Sequence, residues 1–244
     1  DFKDVDNDGW DDIWHTAIEG ESFPLFRNLG RNGEFAEITA AAGLGHETRN
    51  MSGWSNGVFD FDNDGWKDLF VARGNVQDNL ALMSSRKAEE PNTVFRNLGK
   101  GKFADVSAEA GPGVQKPAAH RGAAFGDLDN DGRMDAVVTV LNGDVQYFHN
   151  LSPGGNHWIL LKLVGVKSNG MGLGAQVRVT TPDGMKQCNH ATTSTGYAAS
   201  SDPRVHFGLG GSKRIAEIEI AWPSGIHQVL RDVAADQILT IQEK

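Results

Sequence analysis

The chain has 244 residues and a formal net charge of −9, with 39% hydrophobic and 23% charged residues, which are the proportions of a folded globular protein. That acidity argues against nucleic acid as a partner, because phosphate binding needs a basic face. The lack of any run of 18 apolar residues argues against a membrane-spanning helix. Thirty glycines favour tight turns over long helices, and the single cysteine, Cys188, rules out an intrachain disulfide and reads as a buried, inert thiol.

In chain order, the first segment starts at Asp1-Phe2, shortly before "DVDNDGWDD" (4–12), and reads as the beginning of a piece of something longer. "DIWHTAI" (12–18) and "LFRNL" (25–29) follow as short strands, and a turn at Arg31-Asn32-Gly33 makes a hairpin into "FAEITAAAGL" (35–44), a strand followed by one helical turn. The series then repeats. "DFDNDGWKD" (60–68) precedes the strands "DLFVARG" (68–74) and "TVFRNL" (93–98), with a hairpin at Gly99-Lys100-Gly101. "DLDNDGRMD" (127–135) precedes "DAVVTVLNG" (135–143) and "QYFHNL" (146–151). Loop starts at Asp4, Asp60 and Asp127 are 56 and 67 residues apart, a period expected of repeated supersecondary units. Four short strands per unit suit a propeller blade.

After "LSPGGN" (151–156) the acidic loops stop. "HWILLKLVG" (157–165), "GAQVRVTT" (174–181), "RVHFGLG" (204–210), "IAEIEIAWPSG" (215–225) and "DQILTIQEK" (236–244) read as strands of a second, smaller β-sandwich or barrel. The expected fold class is therefore all-β. Residues 1–152 form a partial propeller of about three blades, and residues 153–244 a small β domain.

Carboxylates at every second position of a tight turn repel one another unless a hard cation sits among them. Ca²⁺ takes six to eight oxygens, whereas Mg²⁺ demands strict octahedral geometry and keeps its water. The expected ligands are Asp4, Asp6, Asp8, Asp12 and the carbonyl of Trp10 in the first loop. Asp60, Asp62, Asp64, Asp68 and the Trp66 carbonyl follow in the second, then Asp127, Asp129, Asp131, Asp135 and the Arg133 carbonyl in the third. The bidentate Glu of an EF-hand is absent at the twelfth position, where His15, Val71 and Val138 stand, and a strand follows each loop rather than a helix. About three structural Ca²⁺ ions are expected, and they would bring −9 to about −3.

At these residues the chain resembles the FG-GAP or VCBS-type repeats of β-propellers such as those of integrin α subunits, with "AAFGDLDNDGRMD" (123–135) the nearest match. The tail is similar to the ASPIC/UnbV domain in "GLGAQVRV" (172–179), "TGYAASSDPRVHFGLG" (195–210) and "IEIAWPSGIHQVL" (218–230). The combination resembles the cartilage acidic protein family and its bacterial relatives, which implies a secreted, cell-surface or periplasmic protein. A closed propeller has four to eight blades. Missing blades, or another chain, are therefore expected on the open blade face.

No His-Glu-x-x-His, Gly-x-Ser-x-Gly or phosphate-loop motif occurs, and no catalytic residue is assigned. His46 with Arg49 and His120 with Arg121 are placed in loops on one rim, and His206 is read as ordering a turn. Trp10, Trp54, Trp66, Trp158 and Trp222 are read as packing residues before sugar platforms, and Ser224 as a turn residue. The leading expectation is a calcium-stabilised binding or structural module for a protein or glycan. The alternatives are an enzyme with a site at the propeller centre, built partly from absent blades, and a self-assembling surface or fibre subunit.

Overall fold

The structure, a computed structural model, describes residues 1–77 and 87–244. Each repeat folds as an antiparallel meander. β1 (Phe2–Lys3), β2 (Asp12–Trp14), β3 (Leu25–Asn28) and β4 (Phe35–Glu37) pair in that order. A single turn of helix, α1 (Leu44–Glu47), leads to the second sheet of β5 (Gly53–Phe59), β6 (Asp68–Arg73), β7 (Thr93–Asn97) and β8 (Phe103–Asp105). The third sheet has β9 (His120–Gly126), β10 (Asp135–Val140) and β11 (Gln146–Phe148), with no fourth strand among the described residues.

The tail contributes two more sheets. β12 (His157–Val164) lies between β15 (Val205–Gly210) and β18 (Gln237–Gln242), antiparallel to the first and parallel to the second. β13 (Gln176–Thr180), β14 (Lys186–His190), β16 (Arg214–Ala221) and β17 (His227–Ala234) form an antiparallel sheet in the order β14-β13-β16-β17. The chain is thus all-β, and its five sheets give a five-bladed propeller arrangement where about three blades and a sandwich were expected. Counting acidic loops finds only the sheets that carry one, and the two sheets after His157 carry none. No helix is long and apolar enough to cross a membrane among the described residues.

Side chains alternate across a strand, and β6 uses both faces for burial. Leu69 and Val71 join Val5, Trp14, Leu25, Phe95 and Phe103 in a core between the first two sheets. Phe70 and Ala72 face the other way and join Ala123, Phe125, Ala136 and Val138 between the second and third. In the tail a separate core draws Ile159, Leu161 and Phe207 from one sheet and Val177, Ile218 and Ile220 from the other. β5 and β9, which pack beside each other, are short on β-branched residues, and the sequence reading did not name them as strands.

Phe95 is fully buried between the first two sheets. Phe95→Ala should lower unfolding free energy by about 3–5 kcal/mol in a urea titration. A loss below about 1 kcal/mol would contradict that placement.

Candidate metal-binding loops

The three acidic loops share one hydrogen-bond scheme. The first Asp accepts the backbone N–H groups four and five residues on. Asp4 takes Asp8 and Gly9 at 3.2 and 3.0 Å, Asp60 takes Asp64 and Gly65 at 3.1 and 2.8 Å, and Asp127 takes Asp131 and Gly132 at 3.0 and 2.9 Å. Closing that turn needs left-handed backbone at two points. Asn7, Asn63 and Asn130 supply the first at φ 59, 60 and 64°, and Gly9, Gly65 and Gly132 the second at φ 92, 95 and 88°. Asp8, Asp64 and Asp131 then accept the N–H groups of Trp10, Trp66 and Arg133.

The last Asp of each loop is a brace. Asp12 accepts Val5 N–H and Asn28 N–H, Asp68 accepts Phe61 and Asn97, and Asp135 accepts Leu128 and Asn150, at 2.8–3.2 Å. Each therefore ties the start of its loop to the third strand of its sheet, at its last residue in the first two sheets and just past it in the third.

Potential ligand atoms gather within 4.8 Å of one another in three groups: Asp4, Asp6 and Asp8; Asp60, Asp62 and Asp68; and Asp129, Asp131 and His149. The first two groups draw on expected residues alone. Of the remaining expected carboxylates, Asp12, Asp127 and Asp135 are engaged by backbone N–H groups, and Asp64 by Arg96 as well as backbone. His149 was missed by the sequence reading. It replaces the Arg of the Phe-Arg-Asn segment, where Arg27 pairs with Asp6 at 2.6 Å and Arg96 with Asp62 at 2.7 Å. Its Nε2 lies 3.0 Å from Asp129. The departure from Phe-Arg-Asn to Phe-His-Asn was the available signal.

Burial dominates the electrostatics. It pushes Asp12 up to about 7 and Asp68 up to about 8, and raises Asp60 well above the ordinary carboxylate value, with the charges of Asp68 and Asp64 adding to the effect on Asp60. Asp4, Asp6, Asp64 and Asp127 are shifted upward, again mainly by burial. Asp6 Oδ1 is buried without a hydrogen-bond partner. An orphaned carboxylate oxygen among hard donors whose charge is disfavoured fits a divalent cation, which would supply both the partner and the opposite charge.

Neighbouring loops are linked. Asn7 donates to Gly65 O at 2.9 Å, and Asn63 to Gly132 O at 3.0 Å. In the reverse direction Lys67 Nζ donates to Asp4 O, Asn97 to Val5 O and Asn150 to Phe61 O, at 2.8–2.9 Å. Past the third loop the tail continues the scheme. Arg204 reaches Asp127 O and Asn130 Oδ1, both at 2.7 Å, and Gly210 N–H donates to Asn63 O at 2.9 Å. A Cβ on Gly208 would stand 2.0 Å from Asp60 Oδ2, so the tail strand β15 lies directly against the second loop.

Other expectations fare unevenly. His120 and Arg121 lie in β9 rather than in a loop, and His120 is buried, held by Arg73 O and Gln146. His206 orders no turn; it is a buried β15 residue whose Nε2 meets Gly132 O at 3.2 Å. Trp222 packs in the tail core, and Trp54 lies between Tyr197 and the Arg121 guanidinium. Cys188 is buried, and burial pushes its thiol up. Ser224 hydrogen-bonds Glu243 in a turn.

A family model described as FG-GAP-like repeat matches residues 4–71 and 74–138, more than half of the chain, and one described as ASPIC and UnbV matches residues 165–244. Among curated proteins, cartilage acidic protein 1 of Xenopus tropicalis is 26% identical over 172 residues, which is 68% of this chain and 25% of that protein. The proteins of the same name from Mus musculus and Homo sapiens are each 39% identical over 66 residues, 27% of this chain and 10% of theirs. The chain thus spans a quarter or less of the length of the relatives it matches.

The seat of the tail on the third loop gives a pH signature. Burial brings His206 down to about 4, against the upward pull of its bond to Gly132 and with smaller downward contributions from the charges of Lys67 and Arg204. The folded state therefore favours the neutral ring. The stability this confers is whole above pH 6.5 and is lost as pH falls towards 4. In chelator-treated protein, the stability difference between wild type and His206→Gln should change by about 3 kcal/mol between pH 7.5 and pH 4. Parallel pH–stability curves for the two proteins would refute the burial argument.

Proposed function

The chain belongs to the FG-GAP-like repeat family, and from that premise we propose that it is a calcium-stabilised binding module that works outside cells, at the cell surface or in a periplasm. The observation that carries this reading is the recurrence of one hydrogen-bond scheme in three acidic loops, each with a group of potential ligand atoms within 4.8 Å of one another. In it, each loop holds one Ca²⁺. Asp4, Asp6, Asp8, Asp12 and the Trp10 carbonyl serve the first ion, Asp60, Asp62, Asp64, Asp68 and the Trp66 carbonyl the second, and Asp127, Asp129, Asp131, Asp135 and the Arg133 carbonyl the third. His149 joins the third set. The ions are structural, because several protein donors per site leave little open coordination, whereas a catalytic metal keeps a free position.

The finer architecture belongs to the same reading. Residues 1–152 supply the three sheets that carry acidic loops, and residues 153–244 the other two, which share a core apart from the first three. A further blade or another chain covers the open side of the first sheet, where Phe2 and Trp10 are exposed. The ligand is a protein or a glycan. The extracellular assignment is supported by relatives named for cartilage and by the high Ca²⁺ outside cells, which fills even weak sites.

Calorimetric titration of chelator-treated protein should give three Ca²⁺ per chain, and two for the Asp60→Ala/Asp62→Ala variant. At a hundredfold excess over Kd each site adds about 2.7 kcal/mol, so the melting midpoint should rise by at least roughly 10 °C. Identical melting in Ca²⁺ and in EDTA would falsify the proposal.

A further inference from the structure

We propose that the third sheet is completed by a β-strand from a partner chain, an extended segment whose aromatic side chain enters the cleft between the second and third sheets. It builds on the binding-module reading for its occupant and is independent of calcium.

The first two sheets show what is missing from the third. In each, the Phe-Arg-Asn strand pairs with a fourth strand of sequence Phe-Ala-acid, in the same register: Asn28 opposite Phe35 and Phe26 opposite Glu37, then Asn97 opposite Phe103 and Phe95 opposite Asp105. β11 ends at the corresponding Phe148, with His149 and Asn150 just beyond it, and it is an edge strand, because the chain turns away to the tail at Leu151. An unpaired edge is a template for another strand.

The cleft lies where the fourth strand would put its phenylalanine. Phe103, nearly buried, packs under the Thr-Ala-Ala-Ala-Gly segment that links the first two sheets, and donates its N–H to Ala42 O at 2.9 Å. The equivalent linker is Ser107-Ala-Glu-Ala-Gly111, and its Ala110 and Gly111 line a cleft of about 510 Å³ floored by Phe70, Val94, Met134 and Phe148. That volume is in the range of sites that hold a ligand group. Ala42 is buried beneath Phe103's strand, whereas Ala110 is exposed. Tyr147 and Leu151 beside the cleft are exposed as well, at 52% and 76%.

Chain chemistry also indicates the occupant. Both Phe-Ala-acid strands of this protein are already paired, β4 to β3 and β8 to β7, and Phe103 is locked in a core. Neither is therefore free to fill the third sheet, and by the same register the strand that fits has an aromatic residue opposite Asn150, a small residue opposite His149 and an acidic one opposite Phe148. Its aromatic N–H would meet Ala110 O.

The test uses the peptide Gly-Lys-Gly-Lys-Phe-Ala-Asp-Val-Ser, copied from residues 99–107 and labelled for fluorescence anisotropy, with the whole protein in Ca²⁺. Saturable binding is expected, weakened at least about tenfold when the peptide's Phe becomes Ala. Ala110→Trp, at an exposed position that leaves the fold intact by circular dichroism, should block the cleft and weaken binding by at least the same factor. No saturation by roughly 1 mM peptide, equal binding of the Ala peptide, or full binding to Ala110→Trp would each overturn the proposal. A protein dimer that the peptide dissociates would give the cleft to a second copy and overturn the partner-chain assignment. Calcium-dependent melting together with any of these results would leave the metal reading standing and defeat this one alone.

Discussion

Four carboxylates confined to a nine-residue hairpin repel one another, and partial burial makes that repulsion stronger by removing the water that screens it. Much of the architecture of the first 152 residues answers this constraint. Backbone N–H groups converge on the first and last Asp of each loop, arginines from the neighbouring strand lie against the middle ones in two loops, and left-handed Asn and Gly residues make that convergence possible. Even so, Asp12 and Asp68 remain near 7 and 8, so local donors alone do not balance the charge. A divalent cation among these oxygens, the ion proposed above, would compensate that charge.

The same loops are the places where sheets are joined. Asparagine and lysine side chains from one loop or strand end on the carbonyls of the next, so any loosening of a loop reaches its neighbour without passing through the apolar core. The tail uses this junction too. Arg204 takes, at Asp127 O, the role that Lys67 has at Asp4 O, and β15 rests on the second loop. The C-terminal sheets are thus attached through the acidic loops of the repeats, at the most highly charged part of the molecule.

The repeats, the hairpins and most strands could be read from the sequence, because β-branched alternation and Asn-Asp-Gly turns are local signals. β5 and β9 could not. Their glycines and alanines suit strands that pack closely beside each other, a requirement that exists only once the sheets are assembled. The ligand-type aspartates were legible from spacing, since two-residue steps around a turn have a local cause. His149 was not, because it lies just past β11, 20 residues away, and meets Asp129 only through the fold. His206 was misread for a related reason: its partner, Gly132 O, lies in a different segment of the chain.

β6 has a consequence for how the molecule comes apart. With Leu69 and Val71 committed to one core and Phe70 and Ala72 to the other, this strand cannot leave either neighbour without emptying both. A stack of repeats joined only at their surfaces can fray from one end, a unit at a time. Here the middle sheet acts as a shared keel, and the first three sheets should cross the folding barrier together, with no partly unzipped form of them accumulating on the way.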